Sequence, residues 1–141
     1  MIVLNSVYSQ DKVGTVTISI DGNSFSGDLF SISTSSSYEV NAGDLSMGFK
    51  IFWNKITSPA EIKTGTTSLS DANAGVTVTA VNFKSSVPAI TTGGTLNITI
   101  NDGKTVKGTL KFKALEGGIP KELGGTEHNF TNGTFEINYG N

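Results

Sequence analysis

The sequence predicts an all-β fold: a single antiparallel β-barrel or β-sandwich of eight to ten strands, with residues 1–141 as one domain. Three observations carry this. Apolar residues recur at every second position through much of the chain, the period of a half-buried strand. Asp-Gly and Asn-Gly pairs punctuate the alternating runs, as hairpin turns and bulges require. No stretch of eleven residues keeps an apolar period of 3.6, so no long helix is expected.

The elements follow in order. The apolar start gives a strand at 2–9. Gly14-Thr15-Val16-Thr17-Ile18-Ser19-Ile20 puts Val16, Ile18 and Ile20 on one face and hydroxyls on the other. Asp21-Gly22 tolerates the positive φ of a tight turn, so 14–20 pairs with 24–32. The run Ser31-Ile32-Ser33-Thr34-Ser35-Ser36-Ser37 is polar and low in complexity, either a loop or a weakly specified edge strand. Strands at 37–41 and 45–53 come next. Ser58 as a cap and Pro59 at the first helical position predict one helical turn, which Gly65 stops. A strand at 75–83 follows.

The last third predicts a register. Leu96, Ile98 and Ile100 alternate on one side of strand 94–101, and Leu110 and Phe112 on one side of strand 104–114. Asp102-Gly103 joins the two as a hairpin. A strand is expected at 127–139, and segment 116–126, with four glycines, is a loop that lets its last part, 133–139, return antiparallel to 106–114. Asn132-Gly133 reads as a tight turn or a bulge within 127–139. Phe135, Ile137 and Tyr139 then face the core, and Lys111, Lys113 and Glu136 face water.

This last third also resembles the C-terminal half of small secreted bacterial proteins of lipocalin-like or streptavidin-like barrel type. The residues that carry the resemblance are Gly94-Thr95-Leu96-Asn97-Ile98-Thr99-Ile100, Asp102-Gly103-Lys104, Val106-Lys107-Gly108-Thr109-Leu110-Lys111-Phe112 and Thr131-Asn132-Gly133-Thr134-Phe135-Glu136-Ile137-Asn138-Tyr139. Leu110 departs from the pattern, standing where those proteins carry Phe. The resemblance implies a lipocalin-like barrel and an extracellular setting. It implies no catalytic residues.

Composition removes several function classes. Lys+Arg is 10 and Asp+Glu is 12, every basic residue is Lys, and charged residues are 16% of the chain. Without Arg, the preferred fork for phosphate and guanine edges is missing, so no nucleic-acid partner is expected. There is no Cys and one His. That leaves no disulfide scaffold, thiolate nucleophile or multi-histidine metal site. No apolar run reaches the 18 residues of a transmembrane helix. Met1-Ile2-Val3-Leu4-Asn5 lacks the basic start and long apolar stretch of a signal peptide. Abundant Thr, Ser, Asn and Gly with few charges predict an extracellular or cell-surface protein.

The candidate site residues are Phe49, Phe52 and Trp53, in the densest apolar segment and including the only Trp. Phe49, Ile51 and Trp53 share a strand face, which either fills the core or lines a cavity. Phe52 faces the other way, towards a second layer or a partner. His128 and its neighbour Glu127 point to opposite faces of a strand, so His128 is expected at a solvent-facing strand or loop end. Asp21 and Asp102 are explained by their turns, and Glu116 as a solvated loop acid.

These readings predict no enzyme, no cofactor and no metal. The leading expectation is a non-catalytic β-domain that binds a small apolar ligand or a glycan. The alternative is a structural subunit that self-associates through strand edges, with 2–9 or 31–40 as donor or edge.

Overall fold

The structure is a computed structural model and describes residues 11–43, 47–69, 74–80 and 89–140. It contains β1 (Asp11–Ile20), β2 (Asn23–Ser33), β3 (Ser37–Gly43), β4 (Met47–Asn54), β5 (Gly65–Ser68), β6 (Ala74–Ala80), β7 (Ile90–Asn101), β8 (Thr105–Leu115) and β9 (Glu127–Asn138). The strands form one antiparallel sheet in the order β5-β7-β8-β9-β1-β2-β3-β4-β6, which curls into a nearly closed barrel. A backbone bond from the Ala89 N–H to the Val78 carbonyl, 2.8 Å, ties the β6 side to the start of β7. The expected strand at 2–9 lies outside the described residues.

Alternation builds the barrel wall. Every second residue of β8 from Val106 to Ala114 is buried, and so are His128, Phe130, Gly133, Phe135 and Ile137 of β9. The phase change at Asn132, φ 54, is a bulge, not the tight turn that Asn132-Gly133 equally allowed. Phe112 and Phe130 stack at 4.2 Å inside. Phe130, Ile18, Leu29 and Ile51 are wholly buried, each worth about 1.5–3 kcal/mol of transfer free energy. The outer face is polar. Ser26, Thr17, Thr134, Thr109, Asn97 and Thr66 stand in register across six strands. An apolar inside and a hydroxylated outside are the reverse of a membrane-spanning barrel. Among the described residues no helix is long and apolar enough to cross a membrane.

The Asp21-Gly22 hairpin is as expected, with φ of 51° and 89°. Three expectations need correction. The second hairpin turns one residue later than Asp102-Gly103 as a central pair would give. The Asp102 N–H bonds the Thr105 carbonyl, and Gly103 and Lys104 are the central residues. The Asp102 carboxylate accepts the backbone N–H groups of Thr105 and Lys104, which hold its pKa below the usual value. Ile100 is exposed, not in the core: a bulge between Ile98 and Ile100 flips the phase and turns Asn101 inward. Segment 31–40 is no edge, because β2 lies between β1 and β3, and β3 between β2 and β4. The missed strand, β5, reads Gly-Thr-Thr-Ser and carries no apolar alternation.

Candidate functional site

The barrel's two ends hold different polar clusters. The first end, the mouth, is where β4 delivers Trp53 and the chain crosses the opening as a strap over residues 55–64. Lys55 starts the strap in the left-handed region, φ 66, held by its N–H to the Ser36 carbonyl at 2.8 Å. Gly65, φ 121, ends it. Between them Pro59–Glu61 forms the expected turn, with Ser58 Oγ accepting the Ala60 N–H at 3.3 Å. Glu61 Oε1 accepts both the N–H and the hydroxyl of Thr57.

Two contacts pin the strap. Ile62 inserts into the core at 3% exposure. Asn101, turned inward by the β7 bulge, donates its amide to the carbonyls of Ile62 at 2.7 Å and Pro59 at 3.1 Å. Its own oxygen accepts the Tyr139 hydroxyl at 2.5 Å.

Under the strap lies a cleft of about 730 Å³. Trp53, Ile56, Ala60, Ile62, Ala74 and Ile98 line it together with the polar Asn54, Lys55, Glu61, Lys63 and Thr67, and its surface is about half apolar. Its size falls within the range of small-molecule sites. Of the three candidate residues, only Trp53 borders it. Trp53 is 5% exposed and packs between Tyr38 and Phe135, at 6.0 and 6.4 Å between ring centres. Burial pushes the Tyr38 hydroxyl up to about 12. Phe49 is buried in the core, opposite Ala42 and Val78. Phe52 lies half-buried on the outer face, over Gly75, where a Cβ would come within 2.4 Å of its ring.

The second end, the base, holds a cluster that the sequence reading did not assemble. His128 is 8% exposed and Glu116 is 5% exposed, so neither is solvated as expected. His128 Nδ1 lies 2.6 Å from Asp21 Oδ2, and His128 Nε2 lies 2.6 Å from Glu116 Oε2. Asp21 Oδ1 also accepts the Asn129 N–H at 2.8 Å, fastening the β1–β2 turn to β9. A neutral imidazole donates from one nitrogen only; donating to both carboxylates takes the imidazolium. Burial draws the His128 pKa down, but the hydrogen bonds and charges of Asp21 and Glu116 outweigh it and hold the pKa above the ordinary 6.5. With both nitrogens engaged by acids, the ring clamps three segments together.

A signal for this cluster was present. Continuing the β8 alternation past Phe112 and Ala114 lands on Glu116, and running β9 back from Phe130 lands on His128. No family, curated protein or solved structure matches the chain.

Proposed function

We propose that this protein is a non-catalytic, extracellular binding domain that holds a small apolar ligand in the mouth cleft. The observation that carries the reading is an open cleft of about 730 Å³, about half of its surface apolar, bordered by Trp53 and by the pinned strap. Pockets with apolar walls and a few placed polar groups are the usual form of such sites. The near-complete burial of Trp53 favours an apolar ligand over a glycan, because a stacked sugar needs an exposed ring face. The resemblance to lipocalin-like barrels and the hydroxyl-rich composition support the extracellular setting.

His128 supports a binding role over a catalytic one. A general base must reach a substrate proton, and both His128 nitrogens already face carboxylates. Assembly through strand edges finds less support, since 31–40 lies inside the sheet.

Trp53 is the only Trp, so its emission comes from one position, at the border of the core and the cleft. Titration with a panel of apolar ligands and glycans is expected to shift or quench that emission for apolar ligands. No response to any member of the panel overturns the proposal.

A further inference from the structure

Resting on that reading, we infer that the occupant of the mouth cleft is an extended polypeptide segment with apolar side chains, which adds between β5 and β6 as a tenth strand. Towards the base the sheet closes on itself without β5. Val78 of β6 pairs antiparallel with Ala89, just before β7, and the Thr91 hydroxyl donates to the Val76 carbonyl at 2.9 Å. Towards the mouth β7 changes neighbour and pairs with β5 from Thr95 to Ile98. β5 therefore joins the ring at the mouth alone, as its ninth strand. A ring with an odd number of strands cannot be antiparallel at every pair. Its two ends, β5 and β6, run in the same direction and do not pair with each other. One strand placed between them, running the opposite way, makes every pair antiparallel.

The cleft lies at that gap, since Thr67 of β5 and Ala74 of β6 both line it. The backbone on each bank is set for a further strand. In an antiparallel strand the N–H and C=O of one residue point to the same side, and the side alternates along the chain. The Val76 and Val78 carbonyls turn away from β4, so Ala74 presents its N–H and C=O, and Val76 its N–H, on that outer edge. On the other bank the Leu69 N–H goes to the Gly94 carbonyl of β7 at 3.0 Å, so Thr66 presents its N–H and C=O to the gap. None of these groups takes a backbone partner among the described residues. A hydrocarbon ligand leaves them to water, whereas a peptide backbone matches them at strand spacing. β5 is four residues long, so the added strand spans about as many. The cleft-lining residues on the two banks, Ala74 and Thr67, are small, which lets side chains of the added strand reach Trp53, Ile62 and Ile98.

The test titrates the full chain with capped hexapeptides, acetyl-Thr-X-Thr-X-Thr-Lys-amide with X as Val, Leu or Phe, and with decanol, reading Trp53 emission and amide hydrogen exchange by NMR. At least one peptide is expected to shift or quench the emission and to slow exchange at Thr66, Ala74 and Val76. The same peptide with both X amides N-methylated is expected to bind about tenfold more weakly, the scale of two lost hydrogen bonds. Ala74→Pro, at the first position of an edge strand, removes one donor of the gap and is expected to weaken the peptide more than decanol. An unchanged thermal midpoint checks the fold of that variant, and the N-methylated peptide carries the test if it does not fold. Peptide binding that N-methylation does not weaken overturns strand addition and leaves the cleft as an apolar site. Decanol binding without binding of any peptide does the same. Slowed exchange at the same amides in the protein alone, at rising concentration, puts a second copy in the gap and also overturns the inference. No response to decanol or to any peptide removes the cleft reading itself.

Discussion

At the base of the barrel a buried imidazole sits between two carboxylates; at the mouth an amide and a phenol hold the strap by hydrogen bonds between neutral groups. Both clusters fasten a connecting segment to strand ends, and their energetics differ. Removing one member of a buried ionic set leaves a charge with no compensation, which is costly. Removing one member of a neutral set leaves carbonyls unpaired, which costs less and stays local. The base cluster also depends on a proton and the mouth cluster does not. The end that opens onto a cleft is the one whose fastening is cheaper to undo.

The largest losses are expected at the base. Phe112→Ala removes one ring of the Phe112–Phe130 stack and is expected to cost about 3–5 kcal/mol. His128→Ala strands the buried Glu116 carboxylate and is expected to cost a similar amount, about 3–5 kcal/mol, near pH 6. Urea denaturation at several pH values separates the two. The deficit of Phe112→Ala is expected to hold steady between pH 6 and 9. The deficit of His128→Ala is expected to shrink as the pH rises, because the wild type itself then loses the imidazolium. Equal pH profiles for the two variants break the comparison.

A middle-sized effect is expected at the mouth. Asn101→Ala leaves the Pro59 and Ile62 carbonyls and the Tyr139 hydroxyl without their partner and is expected to cost about 1–3 kcal/mol. This deficit is expected to be flat with pH. Limited proteolysis sharpens it: cleavage within 55–64 is expected to rise while the base stays protected. The smallest effect is expected on the outer wall, where Lys111 is exposed and Lys111→Ala costs less than about 1 kcal/mol by the same denaturation measurement.

Alternation made the barrel legible in the sequence, because a strand with one dry and one wet face writes its period directly. Val16, Ile18, Leu96, Ile98, Leu110, Phe112, Phe135 and Ile137 all fall on the inner face as that period implies. Ile100 escaped because a bulge is a change of phase that a local pattern does not announce. The same bulge supplies Asn101 to the strap, so the misplaced core residue and the missed anchor have one cause. The strand face of Trp53 allowed a core or a cavity position, and Trp53 is nearly buried while bordering the mouth cleft. Phe52 stands in the same apolar segment, but its ring covers Gly75 on the outside.

The base cluster was missed for a different reason. Glu116 and His128 flank one connection, 12 residues apart, but Asp21 is 107 residues from His128 and joins them only when three strand ends converge. Each has an adequate local explanation, as a turn acid, a loop acid and a strand-end histidine. Strict extension of the β8 and β9 periods gives Glu116 and His128, but Asp21 comes only with the sheet order, since β1 must lie beside β9.

The contrast between the two ends is tested most directly by an NMR titration of the His128 ring between pH 5 and 9. His128 is the only histidine, so one imidazole signal reports the base cluster. Its pKa is raised in the folded protein, which therefore binds this proton more tightly than the unfolded chain. The stability that His128 contributes is complete below the unfolded value of 6.5 and is lost as the pH rises through the higher folded value. The expected result is a midpoint above 6.5, with the amide signals of 21–22 and 116–118 shifting at the same midpoint and those of 55–64 unmoved. A midpoint at or below 6.5, or movement of the strap signals with the ring, contradicts the account.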